Sequence, residues 1–272
     1  MAALVFEKVT LYVGDKVFLK KVDFAVEEGE TLVVAGNPGC GKSLILRAAL
    51  GFPGMGDGER VEMEGEIYIY GRALTQLRSH ELQQLRMRLG SVMRGGGLID
   101  NMDVRSNITL PLYYHYQDQM KDVDIEDRCT TLLVDMGLGY LNDQSRRPVA
   151  LNREERVYVG LARALINQPG LLLIDDPPVG LGQAAMAKLK MFLFYEPKFA
   201  DGRDLGDGGG KPVTRVIATN DLKTYLDCGD RFAVLDEQEL NVVGDRRAAL
   251  HSDDPLVREM LALDEAATVE TG

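Results

Sequence analysis

The sequence predicts an α/β fold in which apolar strands alternate with helices around one core. Three observations support this prediction. A largely apolar run at residues 31–35 leads into a glycine-rich loop and then into a helix-forming segment at 44–50. A second apolar run, at 171–174, ends in two carboxylates and is typical of a buried parallel strand. With 272 residues, of which 45% are hydrophobic, the chain can bury one large domain with a smaller subdomain.

The glycine-rich loop has the form of a phosphate-binding loop. It matches the pattern G-x-x-x-x-G-K-[ST] through Gly36, Asn37, Pro38, Gly39, Cys40, Gly41, Lys42 and Ser43. Glycines let backbone N–H groups turn inward around a phosphate chain, and the following helix start favours negative charge. Lys42 would reach the β- and γ-phosphates, and Ser43 would hold Mg²⁺. The alternative is an accidental glycine turn, which the preceding strand and following helix disfavour. The loop therefore predicts a nucleoside triphosphate site.

The composition argues against several classes of protein. The chain has 31 Lys and Arg against 42 Asp and Glu, and its net charge of −11 repels nucleic acid and anionic lipid surfaces. Three scattered cysteines, Cys40, Cys129 and Cys228, suit neither a disulfide framework nor a zinc site and favour a reducing, cytosolic compartment. Residues 1–8 lack a signal-peptide pattern, and no apolar run reaches about eighteen residues. We expect no nucleic-acid partner, no membrane span and no export.

The N-terminal residues predict an antiparallel β subdomain. The stretches at 4–13 and 17–26 have the pattern of a β-hairpin, and residues 65–71 alternate as a further strand after a loose connection at 51–64. Tyr12 lies 30 residues before Lys42, where an aromatic ring can stack on adenine. The alternative is a half-buried tyrosine of the strand.

The middle of the chain predicts a helical subdomain at about residues 100–165. Before it, we expect Ser79 to cap a helix that runs to Leu89 and closes at Gly90, followed by a short strand at 91–94. Helical patterns occupy 107–116 and 125–136, and a capping box formed by Asn152 and Glu155 begins a helix over 153–165.

The C-terminal part continues the alternation. We expect a helix at 183–195, a core strand at 214–219, a closing strand pair at 232–235 and 240–244, and a terminal helix at 255–263. Residues 200–212 are too rich in glycine and aspartate to pack, which predicts a flexible surface loop. A C-terminal tail, about 251–272, is expected to end in disorder.

In this order, the parts resemble the ATP-binding subunit of an ABC transporter over nearly the whole chain. Residues 253–261, with Gly244 and Asp230-Arg231 before them, resemble more narrowly the ATPases of MCE-type, or Mla-like, lipid transporters. The resemblance implies a P-loop NTPase of ABC type over 1–272, with a mixed-sheet core, an antiparallel β subdomain and an inserted helical subdomain. It also implies that two such subunits, identical or not, sandwich two ATP molecules with Mg²⁺. The resemblance further implies that the chain binds integral membrane permease subunits at the cytoplasmic face of the inner membrane. It also implies MCE-type lipid-binding subunits as partners and phospholipid-like cargo.

The resemblance assigns an intact nucleotide-binding half to this chain. The phosphate loop is complete, Tyr12 stands at the position of the adenine-stacking aromatic, and Asp175 stands at that of the carboxylate that directs Mg²⁺.

Asp176 replaces the glutamate that polarises the attacking water, unless it is a simple acid at a strand end. Its carboxylate is set back by one methylene, and a misplacement of about 1 Å can cost roughly a hundredfold in rate.

The residues that complete hydrolysis in this family are altered. The family signature Leu-Ser-Gly-Gly-Gln aligns with Leu151, Asn152, Arg153, Glu154 and Glu155. Their bulk and negative charge oppose a close approach to the γ-phosphate of ATP held by the partner subunit. Arg94 replaces the glutamine that senses Mg²⁺ and lytic water, and it either pairs with a phosphate or faces solvent. Gly182 replaces an aspartate that communicates between sites, and Asn220 replaces the histidine that contacts the γ-phosphate.

The main hypothesis is a nucleotide-binding subunit of a membrane lipid transporter with slow hydrolysis or an ATP-gated structural role. One alternative is a regulator of the same fold that does not transport and uses ATP binding for assembly. A kinase that shares only the phosphate loop is a weaker alternative, because it leaves the ordered positions from Tyr12 to Asn220 unexplained.

Overall fold

The computed structural model describes residues 1–51, 61–116, 118–142, 146–175, 182–199, 205 and 212–262. Its strands and longer helices, in chain order, are β1 (Ala2–Val13), β2 (Lys16–Glu27), β3 (Thr31–Ala35), α1 (Lys42–Ala49), β4 (Val61–Ile69), β5 (Arg72–Ala73), α2 (Ser79–Arg86), β6 (Leu89–Val92), α3 (Val104–Tyr116), α4 (Asp122–Asp135), α5 (Arg153–Leu165), β7 (Leu171–Asp175), α6 (Gln183–Leu193), β8 (Thr214–Thr219), β9 (Arg231–Asp236), β10 (Glu239–Gly244), α7 (Arg246–Leu250) and α8 (Pro255–Ala262). Within these described ranges, no helix combines the length and the apolar character needed to cross a membrane.

The chain divides into two compact units along its sequence. The first unit comprises residues 1–82 and 214–272, and the second unit comprises residues 83–213. The second unit is thus inserted, in sequence, between the two segments of the first.

An antiparallel sheet of order β2-β1-β4-β5 opens the first unit. The predicted hairpin is confirmed: β1 pairs with β2, and Val13 lies opposite Lys16 across a two-residue turn. Gly14 in that turn has φ 58°, a left-handed conformation that glycine adopts without a steric cost. Phe6 and Phe24 stack in the buried face with ring centroids 4.7 Å apart, which fixes the pairing of the two strands.

The first unit also contains four neighbouring strands of another sheet, in the order β10-β9-β3-β8. Strand β3 pairs in parallel with both β8 and β9, and every residue of β3 and β8 is buried, as the continuous apolar runs predict. Strands β9 and β10 form the predicted antiparallel closing pair. The pairing of Ala35 with Thr219 brings the ends of β3 and β8 to one edge of the sheet.

The second unit contains the parallel pair β6 and β7 with helices α3, α4, α5 and α6. The predicted helix from Ser79 to Leu89 is too long, because α2 ends at Arg86 and β6 begins at Leu89. A Cβ atom at Gly90 would lie 2.8 Å from the carbonyl oxygen of Ala164. Gly90 therefore permits close packing of a strand rather than closing a helix, a role that only tertiary contacts reveal.

Helices α3 and α4 are joined through a buried arginine. Arg105 is 7% exposed, and its Nε donates to Glu126 Oε2 at 2.9 Å and its Nη1 to Thr130 Oγ1 at 3.2 Å. Burial raises the pKa of the nearby Cys129 thiol to about 12, so this thiol stays protonated and serves as a core residue. The helices predicted at 107–116 and 125–136 are confirmed, although both start three residues earlier.

Candidate nucleotide-binding site

The phosphate loop lies between a fully buried strand, β3, and helix α1. A Cβ atom at Gly36 would lie 2.6 Å from the carbonyl oxygen of Leu235, so no larger residue fits there. Gly39 and Gly41 have φ values of 84° and 114°, which side-chain-bearing residues rarely adopt. Packing and backbone conformation therefore both require glycine in this loop.

Lys42 places its ammonium group inside the loop. The residue is 7% exposed, and its Nζ donates to the carbonyl oxygens of Gly36 at 2.7 Å and Asn37 at 2.9 Å. Residues 37–39 are exposed, whereas Ser43 is half-buried in the first turn of α1. A phosphate chain in this cradle would offer the ammonium group anionic oxygens, which are stronger acceptors than neutral carbonyls. The residues present thus fit a polyphosphate ligand.

Asn220 follows β8 at the same sheet edge as the phosphate loop. Thr219 pairs with Ala35, the last residue before Gly36. A tight turn fixes the backbone after Thr219, because the N–H of Asp221 donates to Thr219 Oγ1 at 3.0 Å. The first unit therefore places Asn220 and the start of the phosphate loop after neighbouring strands, at one edge of the sheet.

Tyr12 belongs to the same unit and is half-buried on β1. It pairs with Val17 of β2, and the next residue, Phe18, has its carbonyl oxygen 3.2 Å from a Cβ atom built on Gly41. On its other side Tyr12 lies directly opposite Glu62 of β4. Partial burial and the carboxylates of Glu64 and Glu62 raise the pKa of Tyr12 above its usual value. The tyrosine is therefore neutral, and the strand that neighbours it, β2, contacts the phosphate loop.

The second unit brings Arg94 and Asp175 to one edge of the β6–β7 pair. Asp175 is the last residue of β7 and is 6% exposed, while Ile174 pairs with Val92, two residues before Arg94. Asp176 lies outside the described residues, and so does most of the loop predicted at 200–212. Gly182 directly precedes α6 with φ −57°, and no atom of the residues that the structure describes lies within 4 Å of its Cβ position.

The start of α5 is closed by its own side chains. Asn152 Oδ1 accepts from the N–H of Glu155 at 2.8 Å, and Glu155 Oε2 accepts from the N–H of Asn152 at 2.9 Å. This reciprocal pair confirms the predicted capping box. Arg146 Nη2 lies 3.3 Å from both carboxylate oxygens of Glu155, which is 8% exposed. A carboxylate and its arginine partner therefore already occupy this helix end.

The loop that follows Arg94 is locked against α5. A Cβ atom at Gly96 would lie 2.2 Å from the carbonyl oxygen of Arg156, and one at Gly160 would lie 2.7 Å from that of Gly96. Arg163 donates to the carbonyl oxygens of Gly97 at 2.9 Å and Gly96 at 3.0 Å. Burial lowers the pKa of Arg163 from its very high ordinary value. This loop and α5 therefore form one packed body.

Residues 19–179 match the family model described as "ABC transporter". The chain belongs to the ABC transporter family. The matched range includes the phosphate loop, Arg94, residues 151–155 and Asp175, whereas Tyr12, Gly182 and Asn220 lie outside it. As an ABC protein, the chain carries the family's ATP-binding domain.

Curated ABC proteins resemble this chain along most of its length. The probable ribonucleotide transport ATP-binding protein mkl of Mycobacterium tuberculosis is 28% identical over 248 residues, which cover 91% of this chain and 63% of that protein. The methionine import ATP-binding protein MetN 1 of Acinetobacter baylyi is 27% identical over 248 residues, with the same coverage of 91% and 63%. The chain thus spans less than two thirds of the length of these relatives.

Solved ABC structures confirm the predicted fold class. One is the dimeric structure of a post-hydrolysis state of the ATP-binding cassette MJ0796 bound to ADP and Pi. Its superposition on this chain has a TM-score of 0.70 at 26% sequence identity, and the match covers 87% of this chain and 96% of the MJ0796 chain. The structure of cbiO1 from Clostridium perfringens, part of the ABC transporter complex cbiONQ, gives a TM-score of 0.70 at 18% identity over 98% of this chain and 97% of its own. The latter likeness concerns the fold alone.

The structure of this ABC domain has three features that the sequence analysis does not predict. Nothing in the sequence links Arg146 to Glu155, because the ion pair closes across a loop. The packing of Gly96 on Gly160 also depends on tertiary contacts. In contrast, the carboxylates of β4 could be predicted from the sequence. Glu62, Glu64 and Glu66 alternate with other residues, which is the pattern of three side chains on one face of a strand.

Proposed function

We propose that this chain is the ATP-binding subunit of a membrane ABC transporter complex and that it binds ATP with Mg²⁺ while hydrolysing it slowly or not at all. The observation that supports binding is the phosphate loop, where glycines shape the backbone and the buried ammonium group of Lys42 lies among loop carbonyls. Lys42 would neutralise the β- and γ-phosphates, Ser43 and Asp175 would hold Mg²⁺, and Tyr12 would stack on the base.

The start of α5 supports the proposal of slow hydrolysis. The Glu155 carboxylate accepts from Asn152 and faces Arg146, so a phosphate of a partner's nucleotide would meet a negative charge and a satisfied helix end. The shorter acid Asp176 and the neutral Asn220 weaken the other catalytic contributions. Arg94 would favour phosphate over Mg²⁺.

The proposed partners are a second ABC ATPase subunit, identical or different, and integral membrane permease subunits that place the chain at the cytoplasmic face of the inner membrane. MCE-type lipid-binding subunits and phospholipid cargo are proposed from the resemblance of residues 253–261. In that segment, Asp254 Oδ1 accepts from the N–H of Leu256 at 2.8 Å and begins α8. Copurification of the chain with a permease and bound phospholipid tests this part, and a permease complex that transports no lipid would contradict it.

Calorimetry with ATP and Mg²⁺ tests nucleotide binding directly. We expect binding by the purified chain and binding weaker by at least about fiftyfold in Lys42→Ala, whose folding is checked by circular dichroism. If the wild-type chain fails to bind adenine nucleotides, the proposed function is wrong. Steady-state phosphate release by the complete permease complex then measures how far hydrolysis survives.

A regulator that uses ATP binding only for assembly is the second candidate. The closed start of α5 favours it, because this helix end would not assist turnover at a partner's site. Such a protein would dimerise with ATP and release no phosphate. Phosphate release that Lys42→Ala abolishes would exclude it.

A further inference from the structure

A cavity of about 440 Å³ lies beside α3 in the second unit. Its lining includes Ser106, Leu110 and Tyr113 of α3 and Glu126 of α4. Residues three, four and seven apart on a helix share one face, so a single face of α3 borders the cavity over about two turns. None of the described lining residues belongs to the proposed nucleotide site. The cavity is therefore a separate feature of the helical part of the chain.

Arg105 also lines this cavity, but its donors already have acceptors inside the second unit. A guanidinium group has five N–H donors. Nε and Nη2 donate to Glu126 Oε2, and Nη2 also donates to the carbonyl oxygen of Glu126 at 3.0 Å. Nη1 donates to Thr130 Oγ1 at 3.2 Å and to Asn142 Oδ1. An anionic ligand would have to displace one of these partners, so the cavity does not favour an anion.

The two carboxylates of the lining retain acceptor positions. An ionised carboxylate provides about four such positions. Asp103 accepts from the N–H of Ser106 at 2.7 Å and from its hydroxyl group at 2.9 Å. Glu126 Oε2 accepts from Arg105, whereas Glu126 Oε1 accepts, among the described residues, one long bond from the Tyr113 hydroxyl at 3.3 Å. With two carboxylates against one guanidinium, the lining has an excess of negative charge and favours a cationic donor.

The remainder of the lining suits an apolar stem. Met102 and Leu110 border the cavity with alkyl side chains, and Tyr113 adds an aromatic ring. Burial and the Glu126 carboxylate raise the pKa of Tyr113, so this phenol is neutral. The face of such a ring attracts a cation, and apolar lining favours the removal of an alkyl chain from water. The cavity thus combines a place for a positive head with a place for a hydrocarbon chain.

We propose that this cavity binds an alkylammonium ion. The ammonium N–H groups donate to the carboxylates of Asp103 and Glu126, and the alkyl stem lies against the apolar part of the lining. Two sources share this chemistry, a free amine and a lysine side chain of a partner polypeptide. The inference goes beyond the proposed function, because the cavity belongs to the second unit and the phosphate loop belongs to the first.

The test titrates the purified full chain with pentylammonium and with 1-pentanol, the neutral alcohol that has the same stem. Two-dimensional NMR follows the backbone amides of Ser106, Thr109 and Tyr113, which report binding at the cavity. Both ligands are titrated into the same protein sample, so the ratio of their dissociation constants is insensitive to a loss of folded protein. A third titration uses Nα-acetyl-lysine amide, which carries the same ammonium group on a peptide-like unit.

The double variant Asp103→Asn/Glu126→Gln removes both negative charges from the lining. Each new amide keeps an oxygen that can accept the bond from Ser106 or from Arg105, so the start of α3 and the arginine pairing persist. Asp127→Asn removes an exposed carboxylate that is next to Glu126 in sequence but is not part of the lining, and serves as the matched control. Circular dichroism checks the folding of each variant.

We expect the wild-type chain to bind pentylammonium about fivefold more tightly than 1-pentanol, the effect of about one solvent-screened ion pair. The ratio should fall to about one in the double variant and persist in Asp127→Asn. Tighter binding of Nα-acetyl-lysine amide than of pentylammonium would assign the cavity to a partner's lysine side chain, and weaker binding would assign it to a free amine. Equal binding of pentylammonium and 1-pentanol by the wild type, a ratio that survives in the double variant, or unchanged amide signals at the cavity would overturn the inference.

Discussion

Replacing Glu155 by alanine removes the carboxylate that closes the start of α5. That carboxylate accepts from the N–H of Asn152 at 2.9 Å and lies 3.3 Å from Arg146 Nη2. Hydrogen bonds to charged groups contribute about 1.5–3 kcal/mol each. The Arg146 side chain is 29% exposed, so solvent screens its ion pair, and we expect a total loss of about 2 kcal/mol in the free energy of unfolding.

Urea denaturation followed by circular dichroism measures this loss. With a slope of about 2 kcal/mol per molar urea, the transition midpoint should fall by about 1 M. Glu154→Ala, in the same helix turn but outside the capping box, is the matched control and should cost less than about 0.5 kcal/mol. Glu155→Gln should lie between the two, because an amide oxygen still accepts from Asn152. A cost for Glu155→Ala as small as that of the control would mean that this helix end is open to a phosphate, and the reasoning for slow hydrolysis would fail.

Other perturbations test separate parts of the site. Lys42→Ala should weaken ATP binding by at least about fiftyfold in calorimetry with little change in the melting temperature, and retained affinity would remove the assigned role of this ammonium group. Gly160→Ala should cost about 1–3 kcal/mol in urea denaturation because its Cβ would lie 2.7 Å from the carbonyl oxygen of Gly96. Gly182→Ala should be neutral, because no described residue has an atom within 4 Å of its Cβ position, so equal costs at the two glycines would contradict the packed loop. Asp176→Glu alone should not give brisk phosphate release, since the start of α5 remains closed; a large gain would show that this helix end matters less than proposed.

The phosphate loop and several elements could be predicted because their signals are local. The eight residues 36–43 contain the whole glycine pattern, and the runs at 31–35 and 214–219 match β3 and β8 at both ends. The capping box spans only four residues, so Asn152 and Glu155 identified the start of α5. Hydrogen bonds and side-chain periodicity within one element depend on residues that are close in sequence. These residues can be read from the sequence itself, so such elements can be predicted.

Contacts between distant segments were decided by the tertiary structure alone. Gly90 looked like a helix stop, yet its lack of a side chain serves the close approach of β6 to the carbonyl oxygen of Ala164. Arg146 completes the closure of α5 from across a loop, and Tyr12 meets Glu62 through the pairing of β1 with β4. Each contact depends on which surfaces the folded chain brings within a few ångströms, and residue spacing along the sequence does not encode that distance.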